Sequence, residues 1–409
     1  GEIAEAVRAH NTVSRRAAQT RAVELLFAFT LVAGLVVLLA AVGATREERV
    51  RDFAVMRAVG ARTDLLRLVQ RVELAGIGFM GMIHYLAAQK LKGAKITAIS
   101  SRDEKKLAGD WRGIRGNFGP AGTKMNLGGI KKYPEFEQMI EDPDIDLIDI
   151  CTPTHLHPSM AIAALKAGKH VLVEKSIALT IKDAEAMVKA AKSANRMLMV
   201  AHVLPFFPEF AFAREAIESE KYGRLQAAHF VRVISKPDWS GDIDDSAKTG
   251  GPAVDLHIHD THFIGLIAGV PGRVFSNGLT RNDGSVDFLT TQYLYGDNGP
   301  AISCTSGALN MKGRQFAHGF DIYLEKATIT YHSAGQPLTL LTEDGKSKQP
   351  TLGNGDPILA FTKEIQTAVD GVKCGKEPAL LSGTLAKDAL LLCHKECQSV
   401  TSGKVMLVG

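Results

Sequence analysis

The segment RVELAGIGFMGMIHYLAAQKLKGAKITAIS, residues 71–100, constrains the fold more than any other stretch of the chain. It reads as a strand, a glycine-rich turn, a helix and a second strand, which is the first βαβ unit of a Rossmann domain. Gly76 permits the tight turn, Gly78 lets the backbone approach a pyrophosphate, and Gly81 lets the helix that opens with Phe79 and Met80 pack on the strand. A GxGxxG on its own is weak; the flanking strand and helix give it weight. One residue fits poorly: Glu73 sits inside the first strand, where both faces of a parallel sheet are normally apolar. About twenty residues past the glycines, an acid would accept from the ribose hydroxyls of NAD. Ser101 and Arg102 stand there instead, and a hydroxyl with a guanidinium suits the 2′-phosphate of NADP. A shifted register would make Asp103 the ribose ligand and favour NAD.

The alternation continues. DLIDIC is a buried strand, Pro158 to Ala167 a helix ended by Gly168, HVLV the next strand, Thr180 the cap of a helix running to about Ala194, and MLMVA a further strand. Glu174 and Lys175 thus fall at the carboxyl end of a parallel strand, where open α/β sheets bind ligands. The next helix and strand read FPEFAFAREAIES and AAHFVRVIS. In the following SAKTGGPAVDLHIHDTHFIGLIAGV, Asp255 and His259 are four apart, so one helical turn would project both from one face. A carboxylate beside an imidazole orients it for proton transfer. Asp255, His257, His259 and Asp260 also have metal-ligand chemistry, but a helix scatters them, and no metal site is expected.

With 409 residues, 45% of them hydrophobic, the chain has material for more than one packed core. A net charge of +4 with only 6% aromatic residues describes a solvated surface better than a nucleic-acid footprint. Five scattered cysteines suit a reducing compartment, so a cytoplasmic enzyme is expected. The first seventy residues differ from the rest. Leu25 to Ala44 carries no charge and matches the ~20 residues of a membrane-crossing helix. Arginines 46, 49, 51, 57, 62 and 67 follow it, which places its C-terminal side in the cytoplasm. The ATREER and AVMRAVGA stretches resemble the cytoplasmic-loop region of FtsX/MacB-type ABC-transporter permeases, although one span is too few for a permease domain.

GIGFMGMIH, CTPTHLHPSMAIAALKAGKHVLVEK and GGPAVDLHIHDTHF, in this order, resemble the Gfo/Idh/MocA family of oxidoreductases from about Val72 to the C-terminus. This resemblance implies a Rossmann domain at 71–201 and at 202–409 an α/β domain whose open, mostly antiparallel sheet often forms a dimer or tetramer interface, after the permease-like fragment with its hydrophobic helix at 1–70. It implies catalysis by Lys175, Asp255 and His259. The cofactor set would be Gly76, Gly78, Phe79, Met80 and Gly81 at the turn, Ser101 and Arg102 after the second strand, Thr152, Pro153 and His157 after the third, and Glu174 with Lys175. Ser176 departs from the family's Glu-Lys-Pro motif, Thr154 stands where asparagine is common, and Pro205 where arginine is. The expected reaction is hydride transfer between NADP, or NAD, and a secondary alcohol of a sugar or polyol. The alternatives are nicotinamide-dependent glycoside cleavage, and a membrane-anchored chain in which the dehydrogenase fold is a non-enzymatic passenger.

Overall fold

A computed structural model describes residues 70–236, 245–313, 315–353 and 355–409. The apolar run at 25–44 and the permease-like stretch lie outside the described residues. Among those described, no helix is long and apolar enough to cross a membrane.

The first half alternates strand and helix. β1 (Gln70–Ala75), α1 (Phe79–Ala88), β2 (Ala94–Ser100), α2 (Glu104–Leu107), β3 (Lys131–Tyr133), α3 (Phe136–Glu141), β4 (Leu147–Ile150), α4 (His157–Lys166), β5 (His170–Glu174), α5 (Ile181–Ala194) and β6 (Leu198–Ala201) follow in turn. Every strand pairing is parallel, and the order β3-β2-β1-β4-β5-β6 is that of a doubly wound dinucleotide-binding sheet. Helices on both faces explain why β4 and β6 are buried at every position. Local chemistry sets the boundaries. The Thr180 hydroxyl accepts from the Asp183 N–H at 3.1 Å to open α5, and Asn195 closes it with a φ of 50°, in the left-handed region asparagine tolerates.

Glu73 does lie within β1. It is fully buried, the register slips between Val72 and Glu73, and the Thr97 hydroxyl donates to its carboxyl group. Burial pushes this acid well above the usual carboxylate range, which favours its uncharged, hydrogen-bonded form inside the strand.

The second half starts with α6 (Pro208–Glu218) and β7 (Leu225–Ser235), then α7 (Ser246–Thr249), α8 (Pro252–Asp255) and α9 (Ile258–Ala268). A run of strands follows: β8 (Arg273–Thr280), β9 (Val286–Leu294), β10 (Ala301–Asn310), β11 (Ala317–Leu324), β12 (Ala327–His332), β13 (Gln336–Thr342) and β14 (Ser347–Lys348). Two long helices, α10 (Ile358–Cys374) and α11 (Gly383–Ser402), precede the short β15 (Met406–Leu407). The nine-stranded sheet, β14-β13-β12-β11-β7-β10-β9-β8-β15, is antiparallel except for the β7–β10 pair. Along β7 buried residues alternate with accessible ones, so one face packs on a core and the other is open.

The chain then returns to its first sheet. Phe361, Ile365 and Val369 of α10 pack with Val72 and Ile83, while Ala389 and Cys393 of α11 join the core around Val173 and Val200. Leu392, on the same helix, enters the core of the second sheet with Phe263 and Val274. One helix thus serves both cores, packing on α5 and β6 of the first and on α8, α9 and β8 of the second.

Candidate active site

The β1–α1 turn has no room for side chains beneath it. Gly76 has a φ of +94°, and a Cβ there would meet the Cys151 carbonyl oxygen at 2.7 Å; a Cβ on Gly81 would lie 2.0 Å from the Gly76 oxygen. Gly78 is different: nothing lies within 4 Å of where its Cβ would be. A tight turn with open space above it, at the N-terminus of a ten-residue helix, fits a dinucleotide pyrophosphate.

That space belongs to a cavity of about 1140 Å³ running between the carboxyl ends of the first sheet and the near face of the second. Gly78, Phe79 and Met80 line it from the turn, Thr152 and Pro153 from the end of β4, and Glu174 and Lys175 from the end of β5. Asp255 and His259 come from α8 and α9, and Arg232 and His318 from β7 and β11. Ser101, Arg102 and His157 do not line it, whereas Asp103 does. Asp103 caps α2, accepting from the Lys105 and Lys106 N–H groups at 2.9 and 3.2 Å. His157 works behind the wall: its ring nitrogens lie 2.8 Å from the Ser176 and Thr152 carbonyl oxygens, linking the loops after β4 and β5.

Lys175 Nζ donates to Asp255 Oδ1 at 2.7 Å and to the Asp255 carbonyl at 2.8 Å. Ser176, where the family's motif has proline, donates to the Val254 carbonyl at 3.0 Å, so two successive side chains pin this loop to α8. The single helical turn expected over 255–259 is absent. α8 ends at Asp255 and α9 begins at Ile258, and the break frees the Asp255 carbonyl for Lys175. Asp255 is therefore committed to the lysine. No hydrogen bond joins it to His259 among the described residues.

Burial, with the Lys175 and Arg232 charges next in weight, holds His259 well below the ordinary histidine range, so its ring is neutral at pH 7. Arg232 is itself fixed, donating to both Asp260 oxygens at 2.6 and 3.1 Å. His257 points elsewhere, to Glu396 and Ser306 in the interior. The candidate metal-ligand run therefore splits, with Asp255 on Lys175, His257 on Glu396, Asp260 on Arg232 and His259 at the cavity.

Sequence reasoning passed over a second group behind the cavity. His84, Asp149 and Cys151 are the one trio, among the described residues, whose ligating atoms lie within 4.8 Å of one another. The signal was present in DLIDIC: an acid in a strand buried at every position needs a buried partner.

Comparison with known proteins places these features. Residues 70–202 match the model of an oxidoreductase family with an NAD-binding Rossmann fold. A myo-inositol 2-dehydrogenase of Thermotoga maritima is 28% identical over 352 residues, which cover 81% of this chain and 96% of that protein. A levoglucosan dehydrogenase of Pseudarthrobacter phenanthrenivorans is 32% identical over 178 residues, 42% of each chain. A solved structure of levoglucosan dehydrogenase with NADH and levoglucosan superposes with a TM-score of 0.71 at 21% identity, covering 83% of this chain and 99% of that one, and shows the common fold.

Proposed function

We propose that this chain, whose residues 70–202 match the Gfo/Idh/MocA oxidoreductase family, interconverts a secondary alcohol and a ketone of a sugar, polyol or derivative, with a nicotinamide dinucleotide supplying or accepting the hydride. The observation that carries this reading is the convergence of Lys175, Asp255 and a neutral His259 on the cavity that also contains the open glycine turn.

Each side chain has a task its geometry suits. His259, uncharged, takes the hydroxyl proton during oxidation and returns it during reduction. Lys175 spends two of its three N–H donors on Asp255 and keeps one for the reacting oxygen. Asp255 aims that ammonium. Gly76, Gly78 and Gly81 hold the pyrophosphate, while Thr152, Pro153 and Glu174 wall the nicotinamide end. Ser101 with Arg102 favours NADP over NAD. The names of the relatives support a polyol or anhydrosugar as substrate class.

The test is a panel of polyols, anhydrosugars and glycosides, read both as reduced cofactor at its absorbance band and as released aglycone. Cofactor reduction without cleavage is expected. Cleavage that needs catalytic cofactor would move the assignment to glycoside hydrolysis on the same fold, and neither activity would return the chain to a passenger role. Exposed Phe275, Leu279, Tyr323 and Leu341 on the open sheet support a homo-oligomer, to be read by light scattering. The uncharged run 25–44 supports a membrane tether, to be read by detergent partitioning of the full chain against a truncation beginning at Arg71.

A further inference from the structure

His84 sits in the second turn of α1, the helix that follows the glycine turn, and its ring is fully buried. Nδ1 lies 2.8 Å from Asp149 Oδ2 on β4, and Nε2 lies 3.0 Å from Glu174 Oε1 at the end of β5, the latter an ion pair without the angle of a hydrogen bond. The ring thus spans two strands from a helix above them. Burial opposes its charge, yet the Asp149 carboxylate beside it holds the imidazolium well above the ordinary histidine range.

The surroundings show where the charge is directed. Cys151 Sγ lies 3.4 Å from Nδ1, and burial pushes its thiol far up, so it is a neutral neighbour. Glu364 of α10 is completely buried and makes no hydrogen bond among the described residues, and desolvation lifts it well above the usual carboxylate range. The groups in direct ion-pair contact on this side are Asp149, His84 and Glu174. Of these three only Glu174 reaches the cavity, and its second oxygen, Oε2, accepts the Lys175 backbone N–H at 3.0 Å.

A buried ion pair is a poor source of stability, because desolvation rivals attraction and an apolar group of like size often does as well. What a buried pair adds is a fixed orientation. We propose that His84 is a positioning residue that, by bridging Asp149 and Glu174, sets the Glu174 carboxylate and through it the Lys175 backbone at the wall carrying Asp255 and His259. The proposal rests on the oxidoreductase reading above. It differs from a packing role in one respect: His84 acts on the site only through Glu174.

A double-mutant cycle tests that condition. His84→Gln, Glu174→Gln and the double variant are compared by kcat/KM per folded molecule, well below their melting temperatures, and by reduced-cofactor affinity from its fluorescence. Each single variant is expected to lose about tenfold or more in one or both readouts, in keeping with ~1.4 kcal/mol per decade, and the double variant to be no worse than the poorer single. Asp149→Asn, which keeps the ring and weakens its counter-charge, should fall between wild type and His84→Gln. Losses that multiply in the double variant, or a His84→Gln enzyme that melts earlier yet keeps both readouts, overturn the proposal. If His84→Gln does not fold, Asp149→Asn replaces it in the same cycle with the same criteria. A wild type that binds no nicotinamide cofactor overturns the functional reading and this inference with it; binding with multiplying losses overturns this inference alone.

Discussion

On the β4–β5 side of the cavity His84 is charged, held between Asp149 and Glu174, whereas on the α9 side His259 is neutral, with Lys175 and Arg232 as its charged neighbours. Desolvation is the largest influence on both, and it acts in the same direction, so burial alone does not explain the contrast. The sign of the nearest fixed charge does. His202 and His262 extend the neutral side: their rings stack at 3.9 Å, and burial first, then in His202 the neighbouring cations and rings, holds both down. One wall therefore carries an imidazolium between two carboxylates, and the other a neutral imidazole, the state that the proposed proton transfer requires.

The largest expected effect comes from breaking the neutral wall. His259→Asn removes the proposed proton acceptor, and Lys175→Met removes the ammonium proposed to meet the reacting oxygen, together with its two hydrogen bonds to Asp255. Each should lower kcat by about 10²–10⁴-fold, the usual contribution of a positioned acid or base. The wild-type acid limb carries the same information. Because the His259 pKa lies well below 6.5, kcat/KM in the oxidation direction should hold through pH 6.5 and fall only at lower pH. An acid limb centred at or above 6.5 that disappears in His259→Asn would show that the ring is charged at rest, and the contrast between the walls would be lost.

A smaller effect separates the walls through stability. His262, with a pKa lowered to about 3, resists a proton that the unfolded chain accepts from about pH 6.5 downward. Its neutral burial is thus fully tolerated above 6.5 and increasingly costly as pH falls toward 3. His262→Phe should gain on wild type by up to about 1.4 kcal/mol per pH unit across that window. His84 has the opposite sign. Its folded pKa is raised, so its contribution is complete below 6.5 and is lost as pH rises through the folded value. The deficit of His84→Gln should therefore shrink only toward alkaline pH. Urea unfolding of both variants at pH 5, 7 and 9 reads the two slopes, and parallel slopes would refute the assigned charge states.

Much of the scaffold was legible because its signals are local. The glycine turn, the strand end at Glu174 and Lys175, and the Thr180 cap of α5 each depend on a few adjacent residues. The cavity was harder to read, because it is built from separations the sequence does not show. Spacing put Asp255 and His259 on one turn, but Gly250 closes α7, Gly251 and Pro252 open a short helix of their own, and the chain breaks before α9. The three histidines of HIHDTH look equivalent in sequence. His257 is held charged chiefly by Glu396, far along the chain on α11, while His259 and His262 stay neutral. Asp149 was the one visible clue to His84, an acid in an otherwise apolar strand whose partner lies 65 residues earlier.

The smallest effect concerns the outer end of the cofactor wall and should leave the His259 side untouched. Arg102 is exposed, just after β2, and lies outside the cavity lining, while Asp103, Lys105 and Lys106 line it. A 2′-phosphate carries about two negative charges, and a guanidinium meets it with paired, charge-assisted hydrogen bonds, each worth roughly 1.5–3 kcal/mol net. Asp103 works the other way, since its carboxylate accepts ribose hydroxyls and repels a phosphate. On the proposed reading the preference is a contest between adjacent side chains, in which the cationic neighbours Lys105 and Lys106 would side with Arg102 against Asp103. Arg102→Ala should weaken NADP binding by about tenfold, or ~1.4 kcal/mol, and leave NAD almost unchanged. Adding Ser101→Asp should reverse the preference. Titration of purified protein with both cofactors decides the matter, because a wild type that prefers NAD, or an Arg102→Ala variant that loses both equally, would make Asp103 the residue that reads the ribose.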